Sequence, residues 1–415
     1  MSKPPKSAGM LFIFVTLLLD IVGMGILIPI TPQLIAHLVG GDLSSASRYY
    51  GSLIALYTLM QFLCAPTLGA LSDRFGRKPV LLVSTLGAAL AYLMAALAPS
   101  LGWLYAARFL GGLAGASMTV ASAYLADVST PETRAQNFGM LGAAFGIGFI
   151  IGPALGGVLG HFGLRVPFYV SAAVALLNFL YGLIVLPESH RVENRRAFVW
   201  SKANPLSFVP MLRKYPILRA MTGTLLLVGL AQQCQQSNWV LFTSLRFHWS
   251  PVQNGASLAL VGICAVVVQG GLIRVLLPRL GEQRAILMGL AWFALSMLLF
   301  GLATQGWMMV AIVIGSSVAG IAGPATQALI TRQVDPTEQG AVQGTLTSLM
   351  SLTGIVGPLV ANQLFAVFTA PSAPVRLPGI AFFLGAFLLV VALANMVRLF
   401  AKQAVSKLEE PVAAV

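Results

Sequence analysis

The chain is written as long apolar runs broken by short polar stretches. Twelve runs can be drawn, at roughly 8–37, 47–71, 79–98, 101–127, 133–162, 165–187, 216–245, 252–276, 282–301, 305–331, 337–367 and 376–402. A helix needs about 20 residues to cross the hydrocarbon core. Helices are the expected spanning element, because lipid cannot satisfy backbone hydrogen bonds. Gly40-Gly41-Asp42 marks the first turn. Glycine and proline recur inside the runs, which membrane helices tolerate. The pattern predicts an all-α integral membrane protein of twelve transmembrane helices in two pseudo-symmetric six-helix bundles. The bundles are 1–187 and 216–415, the second with a cytoplasmic tail. A central linker, 188–215, joins them and carries Arg191, Glu193, Arg195, Arg196, Lys202, Pro205 and Pro210. Phe198–Met211 reads either as an amphipathic surface stretch or as plain linker.

Composition excludes the soluble alternatives. Hydrophobic residues make up 57% and charged residues 9% of the 415 positions, against about 25% charged in a soluble domain. Apolar content excludes disorder. The basic residues are scattered in short clusters, which argues against nucleic-acid binding. Cys64, Cys234 and Cys264 all fall in apolar stretches, so they form neither a disulfide framework nor a metal motif. His37, His161, His190 and His248 form no metal-binding cluster. With no phosphate-binding loop and no nucleophile triad, the chain is expected to be neither an enzyme nor an ATP-driven pump, and to need no cofactor.

The net charge of +13 sets topology. With the N-terminus inside, the inner segments hold 20 basic residues, and the outer ones hold only Arg48, Arg165, Arg246 and Arg376. That asymmetry places both termini in the cytoplasm.

The halves repeat. Pro131 and Pro336, Gly139 and Gly344, Gly152-Pro153 and Gly357-Pro358, and Arg74-Phe75-Gly76 and Arg279-Leu280-Gly281 are each 205 residues apart. Two such bundles suit alternating access around a central site.

Of the 12 acids, 11 fall in loops or at span ends and only Asp20 lies deep within a span, and among the basic residues only Arg108 is similarly deep. Charges in a membrane core are costly and face the interior or a cavity. Asp20 is therefore the candidate proton carrier. Arg108 cannot give up its proton, but it can attract the carboxylate in one state or bind a polar substrate. The competing reading is a static Asp20–Arg108 pair that holds the bundle together.

Gly69–Pro79, with Asp73, Arg74 and Arg77, sets dense charge beside the membrane. Asp127, near the inner end of span four, is the natural partner for Arg77. The cluster reads as a cytoplasmic latch, or as a solvated positive-inside loop. Gly148, Gly152, Pro153, Gly156 and Gly157 in span five give a smooth face for close packing, with or without a gating role. The central spans of the second half hold no acid. Their polar candidates are Gln232, Gln233, Gln235, Gln236, Asn238, Gln269, Gln327 and Gln343. These amides read as a cavity lining or as bundle glue. Tyr57 and Gln61 share a helix face in span two, with Phe62 beside them. Trp239 could stack on a planar ligand or anchor at the interface.

At this point the chain resembles the major facilitator superfamily over nearly its full length. The residues that carry the resemblance are the loop Gly69–Pro79, the run Arg108-Phe109-Leu110-Gly111-Gly112 and the glycine motif Gly148–Gly157. Leu56–Val83, with Gln61-Phe62-Leu63-Cys64-Ala65-Pro66, and Gly281–Pro358 are similar to the tetracycline efflux subgroup of drug–proton antiporters. The resemblance implies the major facilitator fold. It puts Asp20 in the place of the subgroup's first-span acid, and Arg108 in that of its buried arginine. Asp73, Arg77 and Asp127 take the places of its cytoplasmic gate, and Gln269 that of a glutamine near substrate. Three positions depart from the subgroup. Ala91 and Phe293 stand where it has acids, and Ala265 where it has a histidine. The expectation is a proton antiporter for another amphipathic compound, acting as a monomer in a bacterial cytoplasmic membrane. Its partners are protons, a small substrate and lipid, with no nucleic acid and no metal. Proton-coupled uptake of a nutrient, or a non-transporting receptor or scaffold, are the alternatives.

Overall fold

The computed structural model describes residues 6–115, 117–190, 193, 195, 204, 208–335 and 338–409. Arg191, Arg196, Lys202, Pro205 and Pro336, and most of Phe198–Met211, lie outside the described residues.

Twelve helical spans cross the molecule, and the expected run of apolar segments holds throughout. Among the described residues, eleven stretches are long and apolar enough to span, and one of them, Pro251–Leu302, contains two spans. Its chain reverses at Gly281, whose φ of +72° lies in the left-handed region that a side chain would strain. The start of the first span and the end of the last therefore lie on one side of the bundle, called here the terminal side, and the other is the far side.

Local chemistry fixes the ends. Gly40 closes the first span in the left-handed conformation, and its N–H bonds the carbonyls of Ala36 and His37. Asp42 then caps the second span, Leu43–Phe75, by accepting from the Ser45 N–H at 2.9 Å.

Several spans are interrupted, and the interruptions shape the interior. The first span runs Lys6–Leu27, bends through residues 28–30 and resumes as Thr31–Val39. The fourth breaks at Gly115, between Leu101–Ala114 and Ser117–Val128. The tenth passes through a 3₁₀ turn at Ser317–Ile321, the matching place under the repeat of 205 residues. The eighth carries a π turn at Val268–Leu272. Such turns frequently accompany functional sites.

The halves meet along two main seams, the second span against the eleventh and the fifth against the eighth. Each seam uses a proline carbonyl against a glycine. A Cβ on Gly51 would sit 2.5 Å from the Pro358 carbonyl oxygen, and one on Gly255 would collide with the Pro153 carbonyl oxygen. Only glycine lets the backbones approach this closely. The second–eleventh seam adds hydroxyl bonds. Ser44 Oγ donates to the Thr369 carbonyl at 3.1 Å, and Ser47 Oγ donates to the Asn362 carbonyl at 3.1 Å. All these contacts use the far-side ends of the four helices. The far side is closed.

Candidate functional site

Asp20 and Arg108 line one cavity in the N-terminal half, with Met24, Tyr57, Tyr92 and Ser117 among the other walls. They do not form an ion pair. Asp20 Oδ2 instead accepts a hydrogen bond from Ser117 Oγ at 2.6 Å. Ser117 opens the second piece of the broken fourth span, and Arg108 sits on the first piece. The bonded hydroxyl and the neighbouring arginine, unpaired among the described residues, thus lie on opposite sides of a helix break. This geometry disfavours a static Asp20–Arg108 clasp.

Gln61 and Tyr57 hold that break. Gln61 Nε2 donates to the Gly115 carbonyl at 2.6 Å, replacing a helical partner lost at the interruption. The Tyr57 ring packs on Gly111 and its hydroxyl reaches Gly115. Phe62 is half-buried and lines neither this cavity nor the one described next.

A larger cavity of about 680 Å³ lies in the C-terminal half. Gln232, Gln235, Gln269, Gln327 and Gln343 line it, among apolar walls that include Phe293 and Met350. Gln269 projects from the π turn of the eighth span. The other polar candidates of the seventh span are placed elsewhere. The Gln233 stem packs on Gly357. Gln236 is exposed and outside both cavities. Asn238 is fully buried and donates to Ser237 Oγ at 3.2 Å. Trp239 is neither a ligand platform nor an interfacial anchor. It is 2% exposed, donates to Ser257 Oγ at 3.0 Å and stands edge-on to Phe300. Ala91 lines the first cavity, and Ala265 and Phe293 the second. All three of these positions therefore border a cavity.

On the terminal side, Arg77 is the hub of the charged loop. Its side chain is 8% exposed and contacts Asp73 Oδ1 at 2.5 Å, Asp127 Oδ2 at 3.0 Å and Ser72 Oγ at 2.6 Å. Asp127 also meets His190 Nδ1 at 3.4 Å. Asp73 pairs with Arg77 rather than capping the next helix. Arg74 lies outside this cluster, over the Phe75 ring at 5.0 Å. Sequence reasoning missed Glu188. It accepts from the backbone N–H groups of Arg77 at 2.8 Å and Lys78 at 3.2 Å, at the start of the third span. A carboxylate at a helix N-terminus is favourable. Gly76, at φ +106°, leaves room for it, since a Cβ there would collide with Glu188. An acid just after span six was the available signal.

The fifth-span motif has two faces. Gly148, Gly152 and Gly156 pack on Ile21, Gly25 and Ile26 of the first span. Gly157 and the Pro153 carbonyl meet the eighth span at Pro251, Val252 and Gly255. One motif joins the helix carrying Asp20 to the seam between halves.

A two-half, twelve-span bundle with these motifs has counterparts among known proteins. The profile of the Major Facilitator Superfamily matches residues 13–288 and 246–414. The chain belongs to the Major Facilitator Superfamily. Within the superfamily it is 42% identical to the class C tetracycline resistance protein of Escherichia coli, over 93% of this chain and 95% of that protein. It is 34% identical to the class B protein of Escherichia coli, over 95% and 96%. Among solved structures, it is similar to the human organic anion transporter MFSD10 (TM-score 0.70, 25% identity, 95% of this chain and 100% of that one). It also shares the superfamily fold with the nucleoside transporter NupG (TM-score 0.75, 15% identity, 94% and 99%).

Proposed function

We propose that the chain is a secondary active efflux transporter that exchanges protons for a small amphipathic, drug-like molecule by alternating access. The observation that carries this reading is Asp20. Among the described residues, it is the one acid set deep in a span rather than in a loop or at a span end. It sits in a cavity, bonded to a hydroxyl, with Arg108 in the same wall. A carboxyl moved between such surroundings changes its hold on a proton. The tetracycline resistance proteins at 34% and 42% identity support export of a drug rather than uptake of a nutrient.

The terminal side is the cytoplasmic side of a bacterial inner membrane, a reading supported by the 20 basic residues assigned there. The closed far side then makes this the inward-facing state. Residues 1–187 and 216–415 act as the two moving bundles, and 188–215 links them. Asp73, Arg77 and Asp127 form the cytoplasmic gate, with Arg74 at its edge. Gly148, Gly152, Pro153, Gly156 and Gly157 form the sliding surface. Gln232 and Gln269 are the substrate contacts favoured by geometry, and Tyr57 lines the separate cavity of Asp20 and Arg108. One chain supplies both cavities, so a monomer surrounded by lipid is the working unit, with no nucleic acid involved.

The test is transport in proteoliposomes under an imposed pH gradient, with a panel that includes tetracycline. Movement opposite to protons supports antiport. Accumulation in the proton direction would mark an importer, and binding without movement a receptor.

A further inference from the structure

We propose that the C-terminal-half cavity selects an uncharged amphipathic ligand through its glutamine wall and binds no cation. This rests on the transport reading and names its substrate class.

The cavity's volume of about 680 Å³ falls in the range of about 300–1,000 Å³ that drug-sized ligands occupy. Its polar lining is amide and hydroxyl, with the Cys264 thiol beside them. Among the described residues, no Asp, Glu, Lys, Arg or His borders it. The sequence agrees: residues 216–331 contain a single acid, Glu282. That acid is engaged by Arg332 at 3.1 Å, away from the cavity wall. A cation entering here would lose water and meet no counter-charge, which is strongly unfavourable. An anion would find no cationic side chain. A carboxamide offers both donors and an acceptor, so it recognises ligand carbonyls and hydroxyls equally well.

The amides divide into two kinds. Gln327 Nε2 donates to Gln343 Oε1 at 2.7 Å, joining the tenth span to the eleventh. Gln232, Gln235 and Gln269 make no such bond among the described residues and remain available to a ligand. Gln269 is followed by Gly270 and Gly271, which have nothing within 4 Å of a notional Cβ. Gln269 itself is exposed and lines the cavity. Across the molecule, the formal charges of Asp20 and Arg108 balance. A cation there would compete with the proton for the one carboxylate.

The test measures equilibrium binding to the purified full chain. The probes are chloramphenicol (neutral), tetraphenylphosphonium (a permanent cation), and tetracycline with either magnesium or EDTA. The expected result is neutral binding at least about tenfold tighter than phosphonium binding, and tetracycline binding that survives EDTA. Gln232→Ala and Gln269→Ala should each weaken the neutral probe by about threefold to tenfold, the scale of one hydrogen bond. Phe293→Asp should create phosphonium binding, and Ala265→Asp repeats that test if the first variant does not fold. Equal phosphonium binding by the wild type overturns the proposal. So does tetracycline binding only with magnesium, or no gain in either aspartate variant. Proteoliposomes separate this outcome from the transport reading. Proton-driven movement of phosphonium would sink the ligand class and keep efflux. Neutral binding with no proton-driven movement would sink efflux and keep the ligand class.

Discussion

Glu282 stands in the second half where Arg77 stands in the first, 205 residues earlier. Their partners are exchanged as well: Arg77 Nε meets Asp127 Oδ2 at 3.0 Å, and Glu282 Oε1 meets Arg332 Nε at 3.1 Å. The repeat thus preserves one bond while reversing its charges. Surroundings differ, however, since the Arg77 side chain is 8% exposed and that of Arg332 is 77% exposed.

That difference predicts unequal mutants. Removing one partner of a buried pair costs about 3–5 kcal/mol, while an exposed pair contributes about 0–1 kcal/mol. Arg77→Ala should lower the melting temperature markedly and cut transport at least about tenfold. Arg332→Ala should change either by less than about twofold. Arg77→Asp combined with Asp127→Arg, which copies the second half's polarity, should recover part of the loss. Thermal unfolding in detergent and vesicle transport read both effects.

Asp20→Asn should abolish proton-driven transport and retain substrate counterflow, because only the titrating atom is lost. Ser117→Ala should leave counterflow intact and alter the pH profile of the driven mode. A packing defect alone would not separate the two modes. Counterflow in vesicles without a gradient checks this. Full proton-driven transport by the Asn variant would remove Asp20 from the coupling role.

The seam glycines should set the conformational equilibrium. A Cβ on Gly157 would lie 2.6 Å from the Pro251 carbonyl oxygen and 3.1 Å from Val252 Cα. Overpacking of this kind costs about 1–3 kcal/mol, so Gly157→Val should shift the population about tenfold or more toward the open far side. Distances between spin labels on the outer ends of the fifth and eighth spans would lengthen accordingly.

Glu338 links the linker helix Val209–Lys214 to the start of the eleventh span. Its Oε1 lies 2.5 Å from Lys214 Nζ, and its Oε2 accepts from the Tyr215 hydroxyl at 2.5 Å. The hydrogen bond from Lys214, and then that from Tyr215, hold the Glu338 carboxyl below its usual 4.5. A depressed carboxyl stabilises the folded state above its unfolded value and loses that contribution as pH falls through the folded one. The hydrogen bond from Glu338 raises the Lys214 ammonium above 10.5. Its contribution is complete below that value and disappears only as pH rises beyond it. Hydrogen-exchange protection of Val209–Lys214 should therefore be flat between about pH 4.5 and 10.5 and fall outside that window. Glu338→Gln should flatten the acid limb.

If the ligand is neutral and Asp20 carries one proton, each cycle moves one net charge. A membrane potential alone, set with potassium and valinomycin at equal pH, should then drive transport. Each 100 mV supplies about 2.3 kcal/mol per charge. Insensitivity to potential would argue for a compensating charge on the substrate.

The sequence made the spans legible, because apolar length and the basic asymmetry are local properties. The repeat was legible as a spacing, and the place of Asp127 near the inner end of span four pointed to its bond with Arg77. What it did not show was long-range pairing. Glu188 meets Arg77 across 111 residues, and Ser117 meets Asp20 across 97. No periodicity encodes either contact. The π turn that presents Gln269 was equally hidden, since its residues read as ordinary helix. Trp239 looked available for a ligand because composition alone cannot distinguish a buried indole from a lining one.

The two seams close the far side by different means. The second–eleventh edge is pinned by Ser44, Ser47 and Thr369, whereas the fifth–eighth edge rests on glycine and proline backbones in van der Waals contact. Dispersion contacts fade as soon as surfaces part, while a hydrogen bond between moving helices resists until it is exchanged for water. On the alternating-access reading proposed above, the far-side mouth should open like a door, hinged along the hydroxyl-bearing edge and swinging from the bare one. Its first gap should appear beside the helix that carries Gln269.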